Sequence, residues 1–299
     1  MGAMLASNNG GANPNTLIAN NFRPLLGYSD LDIVTSNGYA NFNSLQATWV
    51  RSKGRYNINL NYTYGKAMGI VGFYNQFNVA SNYGVEPNNR TQLFNAAYSI
   101  QLPSPKGRLA NGIAGGWQLS GITQLESGPN LTTTQGQNFG MNLNNAIIPG
   151  SVSAQNPNGI AISNVSLLGT PDIQLNPMLV SGCNPRGGPG PHQYINGNCF
   201  AVPTQIGQNG GTVLPPIYGP GFFDWDMALF KNFKITESKT LQFRFDGYNW
   251  LNHPLWSFNG GNLGLSFNPT TLQQNDPVFG ETTFKQGHRI IEMAVKFLF

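Results

Sequence analysis

The chain has 299 residues, of which only 9% are charged, against roughly 25% in ordinary soluble domains. Glycine (37 residues) and proline (20) are abundant, and the net charge of +4 comes without a dense basic cluster, which argues against nucleic-acid binding. No run approaches the ~20 apolar residues of a membrane helix, which excludes helical spans, whereas a mean hydropathy of −0.23 is compatible with a β-barrel, whose membrane signal lies in alternation.

Residues 1–30 are rich in asparagine, glycine and proline, and they are predicted to be a loop or linker remnant. The first residues lack the basic and apolar stretches of a secretory signal. An outer-membrane protein needs such a signal, so a barrel interpretation predicts that this chain is part of a longer product. A brief strand-like run at 31–34 is followed by a turn signal at 36–38.

The first predicted hairpin runs from Leu45 to Tyr64, with a turn at 52–54. In its second strand, apolar residues alternate with asparagine and threonine, and tyrosines stand at both ends of the apolar stripe: Tyr56, Ile58, Leu60, Tyr62 and Tyr64. Aromatic girdles at two membrane interfaces give this pattern. A soluble sheet also alternates, but an uncharged asparagine and threonine face favours a water-filled lumen.

Four further strands are predicted before the carboxyl end, at 91–102, 117–126, 223–233 and 241–252. Short connections (52–54, 103–114 and 235–238) alternate with long ones (67–89, 127–222 and 253–288). Outer-membrane barrels alternate short periplasmic turns with long external loops in this way.

The last strand, 289–299, carries a continuous apolar stripe to the end of the sequence. Its members are Ile291, Met293, Val295, Phe297 and Phe299. An open apolar edge invites aggregation in water, whereas a barrel turns such a stripe toward lipid. The pattern resembles the terminal signal strand that the barrel-assembly machinery reads; the last strand of a soluble β-sandwich is the alternative.

Seven strands are an odd number, whereas a complete single-chain bacterial barrel has an even number. The predicted fold is therefore all-β: an antiparallel transmembrane β-barrel segment of about seven to eight strands, with long extracellular loops. Residues 31–299 are assigned to this segment, and 127–222 to its longest extracellular loop.

Both cysteines, Cys183 and Cys199, lie in the long segment 127–222. Two cysteines in one polar loop predict a disulfide and an oxidising compartment; two free thiols are the alternative. A segment this long without periodicity is usually functional or disordered.

The sequence offers little to an enzyme or a metal site. His192, His253 and His288 lie in predicted loops without carboxylate or cysteine neighbours at metal-ligand spacing. Asp224 and Asp226 share one strand face, where solvation in the lumen or a salt bridge to Arg244 explains them better than catalysis does. We expect no catalytic residue, no cofactor and no bound metal.

Several motifs together resemble TonB-dependent outer-membrane receptors of the Oar-like group. They are Val34–Gly38, Asn43–Gln46, Tyr62–Ala67, Gly116–Gly121, Phe230–Phe233, Leu241–Phe245, Asn249–Pro254 and Val295–Phe299. Their order and spacing carry the resemblance, which covers most of residues 30–299 and is weakest in 127–222.

That resemblance implies a 22-stranded barrel with an amino-terminal plug, which TonB energises for the import of large or scarce nutrients. The sequence departs from the pattern, because it shows no plug, no TonB box and no amino-terminal barrel half. It is similar to the carboxyl-terminal third of such a receptor, and TonB would act only through a plug outside this sequence.

Three functional hypotheses follow. The first is the barrel portion of a TonB-dependent receptor in the bacterial outer membrane, with external loops that contact an unknown ligand. The second is a surface adhesion or structural barrel without energised transport, and the third is a soluble carbohydrate-binding β-sandwich. Under the first two, the expected partners are outer-membrane lipid and the barrel-assembly machinery.

Overall fold

Seven long antiparallel strands form one continuous sheet. The computed structural model describes residues 34–72, 74–132, 139–258 and 262–299, without the side chains of Arg108 and Leu109. The strands are β1 (Ala40–Lys53), β2 (Tyr56–Ile70), β3 (Tyr83–Val85), β4 (Gln92–Gln101), β5 (Trp117–Glu126), β6 (Met178–Leu179), β7 (Phe200–Ala201), β8 (Phe222–Lys234), β9 (Thr240–Tyr248), β10 (Leu255–Ser257), β11 (Phe284–Gln286) and β12 (Ile290–Leu298). The helices are α1 (Arg108–Ala114) and α2 (Asn164–Leu168), with 3₁₀ turns at Val79–Asn82 and Gly197–Cys199.

The long strands are ordered β1-β2-β4-β5-β8-β9-β12, and β3 pairs with β2 beside them. This arrangement confirms the predicted all-β antiparallel class and all seven long strands. The ring is open, because β1 and β12 each pair on one side only within the described part of the chain. These two edge strands run in the same direction, so an antiparallel ring closes only through an odd number of strands between them. None of the described helices has the length and hydropathy of a membrane span.

The strand register brings the apolar stripes of all seven strands to one face of the sheet, here called the apolar face. Residues directly opposite each other in an antiparallel pair share a face. One row of such pairs runs through Trp49, Leu60, Ala96 and Thr123 to Trp225. Between β9 and β12 the apolar pairs are Phe245 with Met293, Phe243 with Val295 and Leu241 with Phe297. The opposite, polar face carries most of the asparagine, serine and charged side chains of the strands.

Aromatic residues lie near both ends of the apolar face. Tyr56, Trp117 and Phe233 lie at the end with the short turns, and Tyr64 and Phe223 lie at the other end. Tyr56 and Tyr64 are eight residues apart in β2, about 27 Å at the rise of a strand. A strand tilted by roughly 40° then spans about 20 Å, close to the apolar band of an outer-membrane barrel.

The tight turn between β1 and β2 needs a glycine. Only two residues, Gly54 and Arg55, join these strands, and Gly54 has φ of 63°. A two-residue hairpin turn of this kind requires a positive φ that glycine adopts without strain.

Helix α1 lies in a connection that the sequence predicts as a turn region. Lys231, on the apolar face of β8, fastens the end of this helix: its ammonium group donates to the carbonyl oxygens of Gly112 and Ile113, the latter at 2.7 Å. The Trp117 indole also donates to the Ile113 carbonyl, at 3.0 Å. The helix dipole stabilises a cation near the carboxyl terminus of a helix. This explains why Lys231, which is only 3% exposed, can lie on the apolar face.

The hydrophobic core of the molecule lies outside the main sheet, in the long connections. Segments 127–222 and 253–288 contribute nearly all of it, although neither shows a hydrophobic period in the sequence. A Ser163 capping box starts α2, and Gly169 ends it with φ of 77°. The buried apolar members of this loop core are Leu131, Phe139, Ala146, Ile162, Leu167, Leu175, Ile195, Cys199, Phe200, Val202, Leu214, Ile217, Leu263, Leu265, Phe267 and Phe279.

Cys183 and Cys199 form a disulfide at the edge of this loop core, with Cα atoms 5.4 Å apart. Cys199 is fully buried and directly precedes β7. The bond therefore ties the segment after β6 to the packed interior of the connection.

The structure differs from the sequence interpretation at several places. Strand β2 continues to Ile70, and β3 lies within the predicted connection 67–89. The predicted loop 127–222 contains α2, β6 and β7. The strand predicted at 241–252 ends at Tyr248, because Asn249 has φ of 46° and cannot continue a strand. The connection 253–288, predicted as a loop, contains the antiparallel pair of β10 and β11 near its two ends. The predicted loop 1–30 and most of the strand-like run at 31–34 lie outside the described residues.

Candidate functional site

A groove crosses the polar face at the middle of the sheet. It is an open depression of about 440 Å³, lined by residues of β2, β4, β5, β8 and β9. This volume is within the range of small-molecule sites. We refer to it as the polar groove.

Two neighbouring rows of paired residues build the polar groove. The first row contains Asn57, Ser99, Ser120, Ala228 and Asp246. The second contains Asn59, Ala97, Ile122 and Asp226. Serine and alanine occupy the centre of the first row, and their short side chains leave space between the longer side chains at either end. The centre of the second row is Ala97 and the larger, exposed Ile122.

An ion pair forms the β9 side of the groove. The Arg244 Nε donates to both carboxylate oxygens of Asp246, at 2.8 and 2.6 Å. The Arg244 side chain is 51% exposed, and that of Asp246 is 13% exposed. The terminal nitrogens of Arg244 bond to no other described residue, so they remain available to a ligand as hydrogen-bond donors.

Uncharged hydrogen-bonding groups form the opposite side. Gln118 donates to the Ser99 hydroxyl at 2.6 Å, and the Ser120 hydroxyl lies 3.2 Å from it. Asn59 accepts from Asn61 at 3.0 Å. These bonds orient the serine and asparagine side chains along the floor of the groove.

Asp226 connects the groove to the turn after β9. One of its carboxylate oxygens accepts from the backbone N–H of Asn249 at 2.9 Å. The Asn249 amide in turn donates to the carbonyl oxygens of His253 and Gly287, at 2.9 and 2.7 Å. Hydrogen bonds therefore link the Asp226 carboxylate to both ends of the long connection 253–288.

Tyr248 supplies an aromatic ring beside these polar groups. It is the last residue of β9, lines the groove and is 42% exposed. On the next strand, Glu292 lies directly opposite Asp246, on the polar face. The β9 side of the groove thus combines a ring with charged and uncharged hydrogen-bonding groups.

The structure does not bring the candidate residues of the sequence analysis together into one site. Asp224 and Asp226 do share the polar face of β8, where Asp224 pairs with Gln124 and Asp226 with Ile122. Their suggested salt bridge to Arg244 is wrong, because Arg244 bonds to Asp246, two residues away on its own strand. Asp246 lies two residues from Arg244 on the same strand face, whereas Asp224 and Asp226 lie on β8.

The remaining predicted residues do not line the groove. Ile291, Met293, Val295 and Phe297 occupy the apolar face of the edge strand β12, and Phe299 stacks on Phe297 with ring centroids 6.0 Å apart. Cys183 and Cys199 lie in the loop core. His192, His253 and His288 lie outside the strands, and His192 stacks on Trp256 with centroids 4.3 Å apart.

Sequence reasoning missed the groove itself and the role of Tyr248. Alternation shows which face each residue occupies, but it does not align one strand with the next. The clustering of Ser99, Ser120 and Ala228 in one row depends on that alignment. A row of small residues on the polar face becomes visible only with the register.

The groove is suited to reversible binding of a polar ligand. Its lining offers amide, hydroxyl, guanidinium and carboxylate groups, one exposed ring, and apolar surface from residues such as Ala97, Ile122 and Ala228. Among the described residues, no group of three or more histidine, cysteine, aspartate or glutamate side chains is placed to hold a metal ion.

One family model matches most of the chain. It is described as an outer membrane beta barrel domain, and it covers residues 4–292. No curated protein and no solved structure gives a match. The matched range includes the loop core, the polar groove and the first residues of β12.

Proposed function

Because this chain belongs to the family of outer membrane beta barrel domains, we propose that it forms part of the wall of a barrel that takes up a ligand in a TonB-dependent manner. The family places the protein in the bacterial outer membrane. The observation that carries the proposal is the polar groove, which opens on the face of the sheet opposite the apolar face.

The two faces determine the orientation of the sheet in the membrane. Every backbone group in the hydrocarbon region must find a partner, so a spanning sheet belongs to a closed ring. The apolar face, with exposed residues such as Trp49, Met293 and Val295, contacts lipid. The polar face, and the groove in it, then faces the lumen. An odd number of further strands between β12 and β1 completes the ring.

The short turns mark the periplasmic end, and the long connections mark the external end. The Asp226 carboxylate of the groove accepts from Asn249, whose amide donates to the two ends of the long connection 253–288. In this proposal a ligand first meets the external connections and then reaches the groove. The energising protein TonB acts through a plug that is not part of this sequence.

The barrel-assembly machinery is the proposed partner during insertion. It would read the apolar stripe of β12 together with Phe299, which is 93% exposed. Outer-membrane lipid is the proposed partner of the apolar face in the finished barrel.

A surface adhesion barrel is the second candidate, and the loop core favours it. An external region with its own disulfide and buried core is stable enough to present a binding surface. Exposed apolar side chains of the connections, such as Phe77, Val152 and Ile206, would be contact points. The soluble β-sandwich does not fit the outer-membrane family or the single sheet with an exposed apolar face.

A growth experiment separates uptake from adhesion. A strain deleted for the gene is compared with its complemented parent on a panel of single carbon, nitrogen and iron sources. We expect at least one nutrient whose use is lost on deletion, restored by complementation and lost again when TonB is removed. Equal growth on every nutrient, together with lost attachment to surfaces, would refute uptake and support adhesion.

A further inference from the structure

We propose that the polar groove binds an uncharged saccharide. This inference deepens the proposed function, on which it rests, by naming the class of ligand that the barrel wall recognises. Three features of the groove support it: its charge balance, its uncharged hydrogen-bonding groups and its exposed ring.

The charges around the groove disfavour an anionic ligand. Arg244 is the one cation in the lining, and Asp246 already neutralises it through two hydrogen bonds. Asp226 lies on the same face, and Glu292 stands directly opposite Asp246. A phosphate or carboxylate in the groove would therefore meet three carboxylates and one guanidinium, with unfavourable Coulomb energy in a partly desolvated site.

The carboxylates in the lining act as hydrogen-bond acceptors. Asp246 accepts from Arg244, and Asp226 accepts from the Asn249 N–H. The hydroxyl groups of a ligand fit between these groups, because each hydroxyl can donate to a carboxylate oxygen and accept from a guanidinium or amide nitrogen.

The floor of the groove offers those amide and hydroxyl groups in a row. The Asn57 side chain bonds to no other described residue, and Ser99 and Ser120 follow it across the sheet, while Asn59 lies beside it on β2. Amides and hydroxyls both donate and accept, which matches the mixed character of neighbouring sugar hydroxyls. A ligand that covered these amides and hydroxyls without offering hydrogen-bond partners would bind unfavourably. A ligand that satisfies them therefore gains specificity.

Tyr248 completes the set with a surface for the apolar side of a sugar ring. It stands at the β9 side of the groove, next to the Arg244–Asp246 pair along the same strand face. A tyrosine combines an apolar body with a polar tip, which suits contacts that are partly wet. Stacking on the ring and hydrogen bonds from the pair would then hold one sugar unit from two sides.

The test is a binding measurement on the complete barrel, purified in detergent from outer membranes. The probes are hexasaccharides of equal length: maltohexaose, cellohexaose, xylohexaose and N-acetylchitohexaose as neutral ligands, hexagalacturonate as the anion and chitohexaose as the cation. Isothermal titration calorimetry is expected to detect at least one neutral hexasaccharide, bound more tightly than both charged probes. Tighter binding of a charged probe, or no binding of any neutral one, would overturn the proposal.

Two variants locate the site. Tyr248→Ala and Asn59→Leu are each expected to weaken binding of the neutral hexasaccharide at least tenfold. Tyr64→Ala, a tyrosine of the apolar face, and Gln46→Leu, a polar-face residue outside the groove, serve as matched controls and should leave binding unchanged. Equal losses in variants and controls would place the saccharide elsewhere and refute the assignment.

The measurement needs no energy source, so it is independent of transport. Saccharide binding without TonB-dependent growth would refute the proposed uptake but keep the groove as a saccharide site. TonB-dependent growth on a charged nutrient, without saccharide binding, would keep the uptake function and refute this inference.

Discussion

The indole nitrogen of Trp225 donates a hydrogen bond of 2.6 Å to the phenolic oxygen of Tyr98, on the apolar face of the sheet. Between these residues lies Gly121 of β5, which pairs with Tyr98 of β4. A Cβ at position 121 would collide with the Tyr98 ring. The glycine therefore makes room for an aromatic contact that spans three strands, β4, β5 and β8.

Gly121→Val should destabilise the barrel by about 1–3 kcal/mol, because it forces Tyr98 away from Trp225 and overpacks the contact. The loss should appear as a lower temperature of heat-induced unfolding, measured by the mobility shift of the folded barrel in electrophoresis. Thr123→Val, the neighbouring position on the same face, is the control and should change the temperature little. Equal stability of both variants would show that the Tyr98 contact is unimportant.

The strands were predictable because their signal is local. A period of two identifies a strand and its faces from a few residues, as in Tyr56–Tyr64 or Ile291–Phe299. The family match and the register both agree with that interpretation. Register was not readable, and the polar groove depends on it, since Ser99, Ser120 and Ala228 must align across three strands.

The loop core escaped prediction for a different reason. Its members, such as Phe139, Ile195 and Phe279, come from distant segments and follow no helical or strand period. Their association depends on loop geometry and on contacts such as the edge-to-face pair of Phe139 with Phe279. Helix α1 was missed because its seven residues are too few for a period, and because Lys231, which holds its end, is remote in sequence.

Lys231→Met should release the end of helix α1 from the sheet. The variant removes charged hydrogen bonds to the Gly112 and Ile113 carbonyls, each of which contributes roughly 1.5–3 kcal/mol. Hydrogen exchange should become faster at 108–114, while β5 and β8 keep their protection. Lys234→Met, an exposed position at the end of β8, is the control. Unchanged exchange in α1 would mean that the Trp117 contact alone holds it.

Phe299→Ala should impair assembly of the barrel. Phe299 continues the apolar stripe of β12 and stacks on Phe297, so its loss shortens the segment proposed to be read during insertion. The amount of protein in isolated outer membranes should fall several-fold. Leu298→Ala, which changes the other face of the same strand, should have the smaller effect. Normal outer-membrane levels of Phe299→Ala would count heavily against the signal-strand interpretation.

Replacing both cysteines with serine should loosen the long connection 127–222 without opening the sheet. The Cys183–Cys199 disulfide closes a loop with a sequence separation of 16, which corresponds to roughly 3 kcal/mol in the chain-entropy model. Hydrogen exchange should increase in 183–199 and in the loop core around Phe200. The seven long strands should keep their protection, and a loss of protection throughout the sheet would show that the loop core stabilises the whole barrel.

Tyr74 makes the stability of the external connections depend on alkaline pH. Its side chain is fully buried, and its hydroxyl has no hydrogen-bond partner among the described residues. Burial raises the pKa of Tyr74 above its ordinary value of 10.0, because the phenolate loses hydration. The folded state therefore holds this proton more tightly than the unfolded state, and the stabilisation is complete below pH 10 and is lost as the pH rises through the folded-state pKa.

Tyr74→Phe should remove that dependence, and it should also stabilise the connection slightly at neutral pH, because it deletes a buried hydroxyl without a partner. The measurement is hydrogen exchange at 74–75 and 173–174, which are joined by the bond from the Gln174 N–H to the Tyr74 carbonyl. With exchange rates corrected for their intrinsic pH dependence, the wild type should lose protection above pH 10 and the variant should keep it. Tyr218→Phe, an exposed tyrosine of the same external region, is the control. Equal loss of protection in the wild type and Tyr74→Phe would show that another group titrates.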